Sequence, residues 1–221
     1  MKKEGKKLFV LGVVLLGAFV VWTLLIQKVD VQPIGVNGTH IGFARINSWF
    51  HKLTGVHMVI YNITDWLGLV PIFVCMIFGV VGIGELIKRR SIFKVDRDII
   101  FLGGYYVLLI FGYLIFEMIP INYRPILIEG IMEASYPSST TLLVLGVMPT
   151  LVEQSNRRLR NIKLNSIVKI FAVCFSVFMV VGRMVSGVHW ITDIVGSLML
   201  SGGLYYIYKA VVVLYSKNEV S

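Results

Sequence analysis

Three stretches of this chain, 8–26, 66–84 and 99–116, carry no charged residue, and each is long enough to cross a bilayer as a helix. A span needs about 20 mostly apolar residues to traverse a hydrocarbon core of roughly 30 Å. It must also be helical or part of a closed barrel, because lipid offers no partner to a free backbone N–H or C=O. Three further runs qualify with small reservations of sequence. The run 138–152 is uncharged but follows a Pro-Ser turn, 164–188 holds only Lys169 and Arg183, and 190–215 holds Asp193 and Lys209 near its ends. An all-α polytopic bundle of six transmembrane helices is the expected fold. Composition excludes the alternatives: 57% of the 221 residues are of the set AVILMFWYC and 15% are charged, against roughly 45–50% and about 25% in soluble proteins. A globule of this length cannot bury so much apolar surface, and a disordered chain needs far less of it.

The formal charge of +9 is distributed in clusters between the apolar runs, which is a topology signal rather than a nucleic-acid patch. Fifteen bases, including Lys2, Lys88, Arg89, Arg97, Arg157, Arg158 and Lys217, fall on one side of the expected membrane, and five, Lys28, Arg45, Lys52, Arg124 and Arg183, on the other. Cytoplasmic segments are the basic ones, so both termini are expected in the cytoplasm, and 28–65, 120–138 and 183–190 outside. The first run is expected to stay as an anchor, being longer than a secretory core of about 7–15 residues. The whole of 1–221 reads as a single membrane domain. Its outer loop, 28–65, holds an interfacial segment around Trp49, Phe50 and His51, since aromatic rings collect at the membrane boundary. Cys75 and Cys174 lie within apolar runs and read as small core residues rather than a disulfide framework.

Polar residues gather at three outward helix ends. His189 and Asp193 are spaced i and i+4, which puts them on one helix face. There a carboxylate can accept the Nδ1 proton, fix one tautomer and leave Nε2 free as a nucleophile. Asn122-Tyr123-Arg124-Pro125 follows the third run, and Tyr136-Pro137-Ser138-Ser139-Thr140-Thr141 opens the fourth. Serines at a helix start are ordinary caps, and the free N–H groups there also bind anions. Two arginines, a Ser-rich helix start and a His/Asp pair on one membrane face supply donors for a phosphoryl group and something to attack it.

In these residues the sequence resembles the type-2 phosphatidic acid phosphatase and vanadium haloperoxidase superfamily, whose motifs run Lys-x6-Arg-Pro, Pro-Ser-Gly-His and Ser-Arg-x5-His-x3-Asp. The third stands here as Gly182-Arg183-x5-His189-x3-Asp193, with only its leading serine replaced. The resemblance covers a phosphatase-like core of about 65–210 and implies a metal-free, cofactor-free active-site pocket at the outer face. It implies that His189 forms a phosphohistidine oriented by Asp193. Arg124 and Arg183, with Ser138 and the backbone N–H of Ser139, would then bind the phosphoryl oxygens. The implied partner is a lipid phosphate or diphosphate drawn from the membrane, with no nucleic acid involved.

Two family positions are substituted. Glu117 stands where the first motif has lysine, and Thr140 where the second has histidine, the residue that in the family protonates the leaving oxygen. Losing a general acid costs about 10²–10⁴-fold, but only where the leaving group needs a proton. An alkoxide does, with a conjugate-acid pKa near that of water, roughly 16. A phosphate monoester, with its second pKa at about 6, leaves unprotonated. A prenyl diphosphate such as undecaprenyl diphosphate is therefore the expected substrate. The alternative is a catalytically impaired relative that binds an anionic lipid headgroup in the same pocket. The sequence leaves both open.

Overall fold

The computed structural model describes residues 2–215. Lys217, one of the bases assigned to the cytoplasmic side, lies outside the described residues. Eight α-helices occur among them: α1 Lys2–Ile26, α2 Ala44–Thr54, α3 Met58–Leu67, α4 Leu69–Arg89, α5 Arg97–Met118, α6 Ser139–Arg158, α7 Ile162–Val185 and α8 Ile191–Tyr215. Large apolar side chains on α1, α4, α5 and α7, among them Val14, Val80, Ile87, Val107 and Ile170, are exposed. A soluble bundle would turn such stripes inward; here lipid covers them. The protein is a multi-pass membrane bundle.

Five helical segments are long and apolar enough to cross a membrane, α3 and α4 counting together as Met58–Arg89. This is one fewer than the six expected, and the difference lies in α6. At 20 residues it is long enough, but it carries Glu153, Arg157 and Arg158 and buries Thr140, Thr141, Thr150, Gln154 and Ser155. It packs against α4, α5, α7 and α8. A helix wrapped by other helices need not be apolar all round, provided its polar groups find partners. Tyr105 donates to the Gly146 carbonyl at 2.8 Å, and the Tyr106 and Thr150 hydroxyls pair at 2.7 Å.

The most extensive pairing joins α1 to α8. A Cβ on Gly12 would lie 2.6 Å from Ile207 Cγ1, and one on Gly203 would lie 2.7 Å from Leu16 Cδ2. The missing side chains are what let these backbones meet, the usual packing device where no hydrophobic drive operates between helices. At the opposite wall, α3 and α4 are nearly continuous but break at Gly68, whose N–H is shared between the Thr64 and Asp65 carbonyls at 3.0 Å each. Pro71, in the first turn of α4, has no N–H to continue the ladder.

Two expectations need correction. Residues 58–65, assigned to the outer loop, form most of α3. The polar residues Tyr61, Asn62, Thr64 and Asp65 interrupt the apolar run in sequence, but within α3 Tyr61 and Thr64 turn inward and are buried. Cys174, read as a core residue, is exposed on the lipid-facing side of α7, while Cys75 is half-buried; both are free. The interfacial segment around Trp49 is α2, which lies against the start of α8.

Candidate functional site

All the elements that carry the motif residues meet at one end of the bundle. Residues 121–135 form a short hairpin. Arg124 N–H donates to the Glu133 carbonyl at 3.1 Å, Ser135 N–H to the Asn122 carbonyl at 2.9 Å, and Ile128 and Ile131 exchange both bonds at the tip. Glu129 and Gly130 both have positive φ, 51° and 80°, the two-residue turn whose twist suits a hairpin. This register points Glu133 back at Arg124 and leaves Glu129 exposed at the tip.

His189 sits in the turn between α7 and α8, which is held from several sides. Gly187 has φ +69°, and a Cβ there would lie 1.8 Å from the Gly55 carbonyl oxygen, so only glycine fits. His57 N–H donates to the Ser186 carbonyl at 3.0 Å. Asn47 of α2 donates to Thr192 Oγ1 at 3.1 Å, and Trp190 Nε1 donates to the Tyr123 carbonyl at 2.8 Å. The imidazole is 3% exposed. Its Nδ1 lies 3.1 Å from the Ser135 carbonyl and its Nε2 lies 3.2 Å from Arg183 Nη2. A carbonyl only accepts and a guanidinium only donates, so the proton is on Nδ1 and the Nε2 lone pair faces Arg183. Burial, reinforced by the charges of Arg124 and Arg183, holds His189 well below the usual imidazole range. The ring is neutral, with Nε2 free of a proton.

Asp193 stands differently from the expected His/Asp pair. Its Oδ2 is 3.7 Å from His189 Nδ1 but accepts the Trp190 N–H at 2.9 Å. Trp190 precedes the first residue of α8, so the carboxylate closes the helix start in the manner of a capping box. Ser135 O, brought in by the hairpin, takes the imidazole proton instead. Behind the imidazole, the buried Asp193 carboxylate takes side-chain hydrogen bonds from Ser135 and Asn122.

Arg183 and Arg124 converge on Tyr61, their Cζ atoms 5.0 and 5.7 Å from the ring centroid. Arg183 is fully buried and Arg124 is 8% exposed. Each meets a carboxylate: Arg183 Nη1 lies 3.5 Å from Asp65 Oδ1, and Arg124 Nε lies 3.0 Å from Glu133 Oε2. The second contact is close enough for an ion pair but too poorly aligned for a hydrogen bond. Arg124 Nη1 and Arg183 Nε thus remain buried donors without an acceptor among the described residues, and Arg124 Nε has only the misaligned Glu133 carboxylate. Unmet guanidinium N–H groups are suited to a phosphoryl group, whose oxygens accept in the same planar fork geometry.

The second motif is placed less openly. Ser138 is buried at the start of α6; its N–H points to the Asp193 carbonyl at 3.3 Å and its hydroxyl donates to Thr141 Oγ1 at 3.1 Å. Since that hydroxyl does not cap the helix, the first-turn N–H groups, Ser139 among them, keep their anion-binding character. Thr140 is buried with its methyl against the joint between α3 and α4, 3.5 Å from where a Cβ on Gly68 would stand. Glu117 ends α5 exposed and makes no ion pair among the described residues. Sequence reasoning missed Tyr61 and Asp65. The i, i+3, i+4 and i+7 spacing of Tyr61, Thr64, Asp65 and Gly68 was the available signal. Among the described residues no three His, Cys, Asp or Glu side chains are grouped to hold a metal ion.

No curated protein sequence matches the chain. The fold is similar to that of a crystal structure described as the first transmembrane PAP2 type phosphatidylglycerolphosphate phosphatase from Bacillus subtilis. The TM-score is 0.61 at 17% identity, over 93% of this chain and 98% of that one. The family model of the PAP2 superfamily matches residues 101–216, the part that contains most of α5, α6 to α8, the hairpin and all three motif positions. The chain belongs to the PAP2 superfamily.

Proposed function

We propose that the protein is an integral-membrane lipid phosphatase that uses His189 as its nucleophile and takes a prenyl diphosphate, such as undecaprenyl diphosphate, in preference to a lipid monophosphate. The observation that carries this reading is the neutral imidazole with Nε2 directed at Arg183, 3.2 Å away, and Nδ1 held by the Ser135 carbonyl. Attack by Nε2 on the terminal phosphorus forms a phosphohistidine and expels the prenyl monophosphate. The Arg124 and Arg183 donors hold the oxygens on which charge gathers, with Ser138 and Ser139 at the α6 start beside them. Asp193 acts as a positioning residue by fixing the start of α8. Thr140 offers no acid to the leaving oxygen, which favours the anhydride over the ester.

The basic clusters lie at the end of the bundle opposite His189, at Lys88, Arg89, Arg97, Arg157 and Arg158. We therefore orient the termini toward the cytoplasm and the site outward, within one membrane domain. The pairing of both arginines with carboxylates favours a second reading, a headgroup-binding relative without turnover. Purified protein is incubated with undecaprenyl diphosphate and with phosphatidic acid, beside His189→Ala. Phosphate release from the diphosphate, lost by at least about 10³-fold in the variant, supports the proposal. Equal release from both proteins rejects it, and faster release from phosphatidic acid rejects the substrate preference.

A further inference from the structure

We infer that Asp65 is the general base that activates water to hydrolyse the phosphohistidine; this rests on the phosphatase reading above. The two terminal nitrogens of Arg183 face opposite partners: Nη2 lies 3.2 Å from His189 Nε2, and Nη1 lies 3.5 Å from Asp65 Oδ1. Displacement at phosphorus is in line, so the attacking water approaches from the side opposite the phosphorus–nitrogen bond. A phosphoryl group on Nε2 with its equatorial oxygens along Arg183 turns its far side toward Asp65. That carboxylate is just over half exposed, with its side chain at 55%, so water reaches it from outside while the imidazole stays buried.

The other carboxylates do not meet these conditions. Asp193 lies behind the imidazole and is bound to the Trp190 N–H. Glu133 is on Arg124, which does not touch Nε2. Glu117 is exposed at the end of α5 without an ion pair among the described residues. The backbone on either side of Asp65 is held by packing. A Cβ on Gly182 would lie 2.6 Å from Thr64 Cγ2, and one on Gly68 would lie 3.5 Å from the Thr140 methyl. The turn that carries Asp65 is therefore packed between α7 and α6.

In the step itself, one proton of the water passes to Asp65 as the water oxygen bonds to phosphorus. The phosphorus–nitrogen electron pair returns to Nε2, phosphate leaves, and Asp65 gives its proton to bulk water through its exposed face. Formation of the phosphohistidine from a diphosphate needs no proton at the leaving oxygen, so Asp65 acts in the second half of the cycle only.

The test is rapid-quench kinetics on the full-length protein with diphosphate substrate labelled both at the terminal phosphate and in the prenyl chain, comparing wild type with Asp65→Asn and Asp65→Glu. The first variant is near-isosteric and removes only the basicity. Its burst of prenyl monophosphate is expected to persist while steady-state turnover falls about 10²–10³-fold. Acid-labile, base-stable phosphoprotein should then accumulate toward one equivalent. Partial recovery in Asp65→Glu supports the role. Unchanged turnover in Asp65→Asn overturns it, as does loss of burst and turnover in equal proportion, which a merely structural residue would give. Wild type that neither releases phosphate nor forms phosphoprotein overturns the phosphatase reading as well.

Discussion

At the scale of single residues, the neutral state of His189 links the site to stability. Burial and the two arginines keep the folded ring from taking a proton, whereas an unfolded imidazole titrates near about 6.5. Below that pH the unfolded chain gains a proton that the folded one refuses. Stability therefore falls as the pH drops, by about 1.4 kcal/mol for each unit below 6.5, until the lower pKa of the folded ring is reached. Above 6.5 the contribution is constant. Thermal unfolding in detergent at pH 7.5 and 5.5 should show wild type losing more than His189→Gln, by up to about 1.4 kcal/mol. His51, whose half-buried ring is also pushed down by burial, is present in both proteins and cancels. Equal losses would mean that the folded imidazole takes up a proton as readily as the unfolded one. The types and spacing of Arg124, Arg183, His189 and Asp193 could be read from the sequence. The acceptor for His189 Nδ1 could not, because the Ser135 carbonyl is backbone and reaches the ring only through the hairpin register. Nor could Tyr61 and Asp65, which belong to a segment whose polar residues masked a helix.

At the scale of elements, the close crossing of α1 and α8 rests on glycines that cannot carry a side chain. Gly203→Val would set methyl carbons against Leu16, whose Cδ2 already lies 2.7 Å from the first added atom. Overpacking of this kind costs about 1–3 kcal/mol. Gly17, on the same helix α1, has nothing within 4 Å of an added Cβ. Gly17→Ala should leave the melting temperature in detergent unchanged or slightly raised, since alanine favours the helix by up to about 1 kcal/mol. Equal effects of the two substitutions would mean that the helices do not cross there. Three of the five apolar spans announced themselves by uncharged runs, and the other two by holding only two charges each, toward their ends. Helix α6 could be recognised from its Pro-Ser start and the uncharged run 138–152, but not its polar second half, because the neighbours that make those residues tolerable are far away in sequence.

Across the whole molecule, polar structure is concentrated at both ends of the bundle, with different consequences. Opposite the candidate site, Arg158 at the end of α6 meets Glu85 of α4 at 3.4 Å, Asp96 at 3.5 Å and Asp98 of α5 at 3.2 Å. One guanidinium so joins three helices, and its partners are themselves partly shielded. Arg158→Met should lower stability by about 1–2 kcal/mol, between the surface and buried limits. Its turnover, measured on the lipid diphosphate, should stay within about twofold of wild type, because the Arg158 network lies at the opposite end of the bundle from His189. A tenfold loss of turnover would show that the two ends are coupled.

The clasp between α1 and α8 also has a consequence for biogenesis. The ribosome delivers α1 long before α8, the helix that covers its Gly12 and Leu16 face, and α3 to α7 emerge between them. Throughout synthesis α1 must wait in the bilayer with that face bare, available to an insertase or a membrane protease. A nascent chain stalled before α8 would keep it bare indefinitely, and that exposed groove is the feature by which a cell could tell an unfinished copy from a finished one.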